Sequence, residues 1–555
     1  MNNFLSESKV QQIALLVLTL LVGFFFRFIN LTGDAPAGDI SRSGVFYVDE
    51  GTYAHNVVNK ALFDQWFLKD DYNAISNVPI FSMFQYAIVK IFGVGLAQIR
   101  FGGIFYSLLS LLLLWLILKS FDPDAAWIAF ILGAGNYFFI IYNRLALLEN
   151  LLILFLVIIF GLLFLYHKRQ RLIWLVLATT CFVAGYFVKA TVIFFVPVIL
   201  ITIYLTNPSW KMRLRHFIVF LTILFLLAIG GIYFWILPHQ EDWLYFQQLN
   251  ISLKLPDSPL QLVFNYARYI GNLKLFPFMP VTYAIFLYSV GWLIVNLIRK
   301  KEISFPEVFF MTWALSGILL LGFFAYSPPR FSLILIPAVV SLVAIFLTKM
   351  KQHNFYLPKQ DAVLIVGIVA LMCCSQIAFG FYRIIRDQHH YLSCYLPFLS
   401  LVVPGFLYWA NKKLLQRKIS YSLLISIIVI NLAQIGHYHF TIKYSYYNAM
   451  RDMKYQMDQY PKQPKVLAGD IAPLVATELK MKAVNIIFLP QKERNRFLYC
   501  CPAFLVLQDR KQLIHLQRKM PEYLADIQLL KSYCIFNNYI NKDNTYFFKI
   551  NAQIP

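Results

Sequence analysis

At 555 residues, 59% hydrophobic and 14% charged, with a mean hydropathy of +0.62, the chain is far too apolar for a water-soluble globule and reads as a polytopic membrane protein. Its formal charge of +22 does not point to nucleic acid, because Lys and Arg fall in short clusters between apolar segments, where the positive-inside rule puts them. The cysteines, at 181, 373, 374, 394, 500, 501 and 534, have no metal-type spacing and supply no disulfide framework.

In chain order, Ile13 to Phe26 is apolar and no small-residue cleavage site follows. It reads as a first membrane span rather than a cleaved signal, with Arg27 snorkelling to the interface. Next comes VFYVDEGTYAHN, Val45 to Asn56, where the adjacent carboxylates Asp49 and Glu50 open an amphipathic helix. Two readings stand for them. Asp49 caps the helix that Ala54, Val57, Val58, Ala61 and Leu62 continue at helical spacing; or a carboxylate at the membrane interface serves as a general base. A second helix-like segment, Pro79 to Phe92, is too short for a span, and both segments are expected to lie along the membrane surface.

Windows of about 20 apolar residues then predict spans near 11–29, 98–118, 125–142, 146–166, 172–188, 190–206, 217–237, 275–298, 307–326, 331–348, 362–382, 392–410 and 419–438. That is about thirteen by the same length criterion. Short polar turns at Asn143-Arg144 and at Lys189 split two of the apolar stretches. Alternate connections carry Lys168/Arg169/Arg171, Lys211/Arg213/Arg215, Arg299/Lys300/Lys301, Lys349/Lys351 and Lys412/Lys413/Arg417/Lys418, so that side is expected to be cytoplasmic. Asp49 and the C-terminal tail then fall outside the cytoplasm. The long connection Pro238 to Lys274 reads as a solvated loop or a lid.

From about Lys443 the composition changes. Short β-like runs (465–468, 484–489, 503–508, 532–536, 545–550) alternate with helix-like segments, 471–481 and 511–520, which predicts a small α/β domain. The expected division is a membrane domain over residues 1–440, whose functional loop spans about 30–97, and a soluble domain over 441–555. A bridge between Cys534 and Cys500 or Cys501 stays open in an oxidising compartment.

The ordered set VDEGTYAHNV, FGVGLAQIRFGGIFYSLLSLLLLWLIL, NRLALLEN, AGYFVKATVIFFVPVIL and SPPRFSLILIPAVV resembles the polyprenyl-phosphate-sugar glycosyltransferases of the GT-C type. Within them it is most similar to the branch of the protein O-mannosyltransferases and lipid A aminoarabinose transferases. The resemblance covers roughly residues 1–350, and the C-terminal α/β tail is more like the aminoarabinose side. It implies an α-helical polytopic GT-C fold in the cytoplasmic membrane with its site and C-terminal domain extracytoplasmic. The donor it implies is a polyprenyl-phosphate-linked sugar; the acceptor is a lipid, glycan or protein, and no nucleic acid is involved. Asp49 and Glu50 match the family's acidic pair, with the first as the base. Glu149 and Tyr53 take supporting places, and Lys189, Arg330 and Arg144 take the donor phosphate. Where those families carry a Lys-Pro or a His-Pro-Pro, this chain has Asn77-Val78-Pro79.

The chemistry suits these residue types. A base is needed for the incoming hydroxyl and cations for the phosphate charge that grows as the sugar leaves; one base without a matched acid implies inversion at the anomeric carbon. Cofactor need is open, since Asp49 and Glu50 also suit a divalent metal. Each cation has a plainer reading as an interfacial anchor. Two other classes stand beside the enzyme: a transporter or flippase of a lipid or envelope precursor, disfavoured by the lack of internal repeats or paired broken spans, and a non-catalytic assembly protein.

Overall fold

The computed structural model of the chain describes residues 9–34, 45–68, 73–254, 256, 258–271, 275, 278–324, 327–352, 358–387, 403, 413–442, 444–461, 465–485, 502–507, 510–519, 524, 526–537 and 541–550. The helices of the membrane part are α1 (Lys9–Phe28), α2 (Val45–Phe63), α3 (Pro79–Phe92), α4 (Leu96–Lys119), α5 (Pro123–Ala134), α6 (Tyr137–Asn143), α7 (Leu148–Arg169), α8 (Leu172–Tyr186), α9 (Val196–Thr206), α10 (Trp210–Gly231), α11 (Gln240–Lys254), α12 (Pro259–Gly271), α13 (Pro280–Ile298), α14 (Phe305–Phe323), α15 (Ile336–Lys351), α16 (Lys359–Asp387) and α17 (Lys413–Thr441). Among the described residues, eight helices are long and apolar enough to cross a membrane, or nine if the bent pair α5 and α6 is one span. The expected segments 172–188 and 190–206 form shorter apolar helices. Segment 362–382 lies within α16, and 392–410 is almost wholly outside the described residues.

α7 and α15 form the centre. The span Pro329–Lys351 is buried along its whole apolar window and α7 over most of its own, whereas α1 and α10 turn nearly all of theirs outward. Outward Leu, Ile and Phe side chains cost nothing against lipid tails, so peripheral helices need few protein contacts.

The break between α5 and α6 bends the pair by 56°, and Arg27 fills it. The side chain is fully buried and donates to Ala134 O at 2.9 Å, Gly133 O at 3.3 Å and Gly23 O at 3.0 Å. It thereby satisfies the last carbonyls of α5, where the helix dipole is negative. Asn136 caps α6 by accepting from Phe139 N at 2.8 Å. Arg27 therefore does not snorkel to the interface, contrary to the expectation from sequence; the carbonyls freed by the bend are a better partner than distant water.

Two further expectations change. α2 is not the one-sided amphipathic helix expected: Glu50, Thr52, Ala54, His55, Asn56, Val57, Val58 and Asn59 are all buried, because protein covers most of its circumference. α3 does show an apolar outer face, Met83, Phe84, Ile91 and Phe92. The connection after Pro238 is helical rather than a solvated loop. It packs back on the α2–α3 connection through Asn73 Nδ2 to Asp242 Oδ2 at 3.2 Å and Phe67 stacked on His239, and Trp235, just before it, adds Nε1 to Ser76 O at 3.0 Å.

Beyond α17 come α18 (Ser445–Asp458), β1 (Val466–Gly469), α19 (Ala472–Leu479), β2 (Lys482–Asn485), β3 (Phe504–Leu507), α20 (Arg510–Lys519), β4 (Ile527–Asn537) and β5 (Asn541–Ile550). The sheet order is β2-β1-β3-β5-β4; β2-β1-β3 is parallel, and β5 pairs antiparallel with both β3 and β4. Short strands alternating with helical segments produce this α/β arrangement, as their spacing predicts. Cys500 and Cys501 lie outside the described residues, so the expected bridge to Cys534 does too.

Candidate functional site

Two chain breaks aim charge into the bundle, and they share a pattern. Lys189 ends the α8 turn and is followed by the 3₁₀ segment Ala190–Phe195 and Pro197; Arg330 opens the 3₁₀ segment Pro329–Leu335, followed by Pro337. A proline in the first turn of the next helix has no N–H to donate, so the preceding residues close as a tight 3₁₀ turn. Trp313 Nε1 donates to Ile334 O at 2.9 Å and holds the second turn in place. The third break, 144–147, delivers Glu149 in the first turn of α7. Asn150 secures it, donating to Tyr142 O at 3.2 Å and Leu145 O at 2.9 Å and accepting from Asn143 Nδ2 at 2.7 Å.

These breaks meet α2. Arg330 pairs with Asp49, and its Nε stands 3.8 Å from Glu149 Oε1. Lys189 Nζ lies 2.5 Å from the same Glu149 oxygen. Phe331 floors the cluster, with Lys189 Nζ 3.8 Å and Arg330 Cζ 5.5 Å from its ring centroid. Glu149 and Arg330 are buried, Lys189 is nearly so, and Asp49 retains 20% exposure. Asp49 is thus the member of the set best placed to meet a second molecule. Charges this close and this little hydrated interact far more strongly than on a surface.

The structure brings together four of the residues singled out in the sequence, Asp49, Glu149, Lys189 and Arg330, and separates the others. Successive residues of a helix point about 100° apart, so Glu50 faces away from Asp49. Its two oxygens take a bidentate pair from Arg100 at 2.9 and 2.8 Å and a backbone bond from Ala146 N at 2.9 Å. Arg100 also donates to Leu31 O and Gly33 O at 2.9 and 2.8 Å. Glu50, expected beside Asp49 in the chemistry, is consumed in an internal clamp, and the two carboxylates offer no shared metal site. Among the described residues, no three His, Cys, Asp or Glu side chains gather as metal ligands. Arg144, expected at the phosphate, is engaged elsewhere: it bonds Asn30 O, approaches His439 Nδ1 at 3.3 Å and lies over Tyr438. The returning α17 supplies two of those partners. Tyr53, one turn beyond Asp49, meets Phe81 edge to face at 6.3 Å.

Sequence reasoning missed Arg100, a buried cation in the apolar helix α4, and Phe331. The signal for Arg100 is the rule that an ionisable residue within a span has a partner. Tyr446, on α18, is buried in the same region, and burial first, then the charges of Asp470 and Glu50, push its phenol well above the ordinary range. It stays an uncharged hydroxyl.

Residues 76–235 match the family described as dolichyl-phosphate-mannose-protein mannosyltransferase, a stretch that includes Arg100, Glu149 and Lys189. No curated protein matches the sequence. Among solved structures, the chain is similar to ArnT from Cupriavidus metallidurans bound to undecaprenyl phosphate, with a TM-score of 0.57 and 13% identity over 98% of both chains. The apo state of that protein gives 0.56 at the same identity and coverage. The expected polytopic helical bundle with a small C-terminal sheet agrees with that likeness in fold, while the count of about thirteen spans is not reproduced among the described residues.

Proposed function

We propose that this chain is an integral-membrane inverting glycosyltransferase that moves a sugar from a polyprenyl-phosphate-linked donor to a hydroxyl acceptor at the outer face of the cytoplasmic membrane. The observation that carries the reading is the convergence of Asp49, Glu149, Lys189 and Arg330 from four distant segments. It lies within a fold similar to one seen with undecaprenyl phosphate and in a chain partly matched by a mannosyltransferase family. Asp49 takes the acceptor proton as the acceptor oxygen bonds to the anomeric carbon. The anomeric carbon–phosphate oxygen bond breaks on the opposite face, and the polyprenyl phosphate leaves with its new charge against Lys189 and Arg330. Glu149 holds those two cations at one oxygen when no donor is present. The acceptor class, a lipid, a glycan or a protein, stays common to all of this.

Orientation belongs to the same reading. α7 runs from Glu149 to the basic cluster at Lys168 and Arg169, and Pro329–Lys351 runs from Arg330 to Lys349 and Lys351. At 1.5 Å per residue α7 spans roughly 33 Å, about one bilayer core, and Pro329–Lys351 with its longer-pitched 3₁₀ opening somewhat more. The positive ends then face the cytoplasm, and the Asp49 cluster and the C-terminal unit beyond about residue 440 face outward. An impermeant thiol probe on Asp64→Cys, an exposed position at the end of α2, is expected to label intact cells, and Lys300→Cys only after permeabilisation.

The decisive test uses polyprenyl phosphate, the product common to every sugar. Lys189→Gln and Arg330→Gln each lose a charge-assisted contact worth about 1.5–3 kcal/mol, so affinity for a short-chain polyprenyl phosphate should fall roughly ten- to a hundredfold. Unchanged affinity in both variants would overturn the assignment. Mass spectrometry of envelope lipids, glycans and proteins with and without the chain identifies what is transferred.

A further inference from the structure

Three consecutive residues of α2 meet three different parts of the protein. Asp49 faces Arg330, Glu50 faces Arg100, and Gly51, about 200° around the helix from Asp49, faces the C-terminal α/β unit. A methyl group at Gly51 would sit 2.7 Å from Leu474 N and 2.9 Å from Leu474 Cβ, against an ordinary contact of 3.4 Å or more. The neighbour includes backbone in the first turn of α19, which cannot swing aside as a flexible side chain could. One residue on, buried Thr52 Oγ1 accepts from Asn485 Nδ2 at 3.1 Å, and Asn485 is the last residue of β2. Glu478 of α19 reaches the start of α4 by accepting from Leu96 N at 3.0 Å, and Tyr446 N donates to Asp34 Oδ1 at 3.0 Å. In open parallel sheets the carboxyl ends of the strands and the following helix N-termini are where ligands are bound. Here that edge, at the end of β2 and the first turn of α19, receives α2.

We infer that the C-terminal unit is a positioning element for the reaction, and that Gly51 and Thr52 are its two points of purchase on the helix that carries Asp49. The inference rests on the glycosyltransferase reading of the Asp49 cluster. Because Gly51 and Asp49 lie on nearly opposite sides of α2, a push at Gly51 moves Asp49 along the line of its contact with Arg330. The added methyl of Gly51→Ala requires about 0.7 Å of movement to reach ordinary contact. A displacement of that order at a reacting group is enough to cost one to two orders of magnitude in rate. The polyprenyl phosphate contacts of Lys189 and Arg330, which stand on other elements, are spared.

The test measures full-length Gly51→Ala, Thr52→Val and Thr52→Ser in host membranes lacking the native chain, reading envelope modification per mole of protein, affinity for short-chain polyprenyl phosphate and melting temperature. Gly51→Ala should turn over ten- to a hundredfold more slowly with phosphate affinity within twofold of wild type. Thr52→Val should be several-fold slower, with Thr52→Ser, which keeps the hydroxyl, close to wild type. A purely structural role would lower melting temperature and phosphate affinity along with turnover. Folded Gly51→Ala with wild-type turnover overturns the inference; if that variant does not fold, Thr52→Val with wild-type turnover does so alone. Absence of any modification by the wild-type chain would instead count against the glycosyltransferase reading.

Discussion

The two ends of the bundle both carry ion pairs, and they are built differently. At the end holding Lys168 and Lys349, three cations pair with carboxylates on neighbouring helices: Lys349 with Glu307 and Lys351 with Asp124, both at 2.6 Å, and Arg299 with Asp361. Asp124 and Glu307 sit in first turns of their helices, and Lys349 and Lys351 in the last turn of α15. Each pair therefore also suits the helix dipoles. At the Asp49 end, two acids and two cations share one cluster, with Glu149 Oε1 serving both Lys189 and Arg330. A pairwise staple is complete in itself. On the proposed reading, the members of a shared cluster change partners when the donor phosphate arrives, as a pairwise staple does not.

Asp49→Asn gives the sharpest break of that comparison. It keeps the shape of the side chain but cannot take a proton, and transfer should fall by about 10²–10⁴ with folding intact. Near-wild-type turnover would make Asp49 a fastening like Asp124. Glu50→Ala comes next and acts on a different quantity. It leaves Arg100 buried without its carboxylate, which should destabilise the protein by about 3–5 kcal/mol, read as lost accumulation or a lowered melting temperature. A stable Glu50→Ala protein with slowed transfer would return Glu50 to the chemistry. At the opposite end, Arg299→Gln removes a partly exposed pair and should cost at most about 1 kcal/mol, with no change in polyprenyl phosphate affinity.

The smallest effect lies in the C-terminal unit. Asp452 accepts from Tyr533 OH at 2.6 Å and pairs with Lys531 at 3.0 Å. Burial pulls its carboxyl up, but Tyr533 and Lys531 together outweigh that and hold it below the ordinary carboxylate range. A depressed folded pKa stabilises the fold above the unfolded value, about 3.9, and that contribution is lost as pH falls through the folded one. Asp452→Asn should therefore flatten the acid limb of the melting curve slightly, without touching transfer at neutral pH.

What could be read along the chain was whatever has a local signal. Apolar windows located the eight long spans, and alternating short strands and helices located the C-terminal sheet. A charge at a break in an apolar run marked Lys189, because a charge there stands out against its neighbours whatever it touches, whereas Glu149 and Arg330 were pointed to by the family resemblance. Arg144 met the same criterion and went elsewhere, since α17, almost 300 residues on, supplies His439. Asp49 and Glu50 are indistinguishable as neighbours in sequence. They part because a helix turns about 100° per residue, and the partners waiting on its sides are Arg330 and Arg100, 281 and 50 residues away. Gly51 carries no chemical signal at all; it became visible once Leu474 was seen against it. Composition and spacing determine which segments enter the membrane and where charge interrupts them, because burial of apolar length is a property of each segment alone. Which charge meets which partner is decided by packing between segments distant in the chain, and on that rests the difference between Asp49, paired with Arg330 and partly exposed, and Glu50, buried against Arg100.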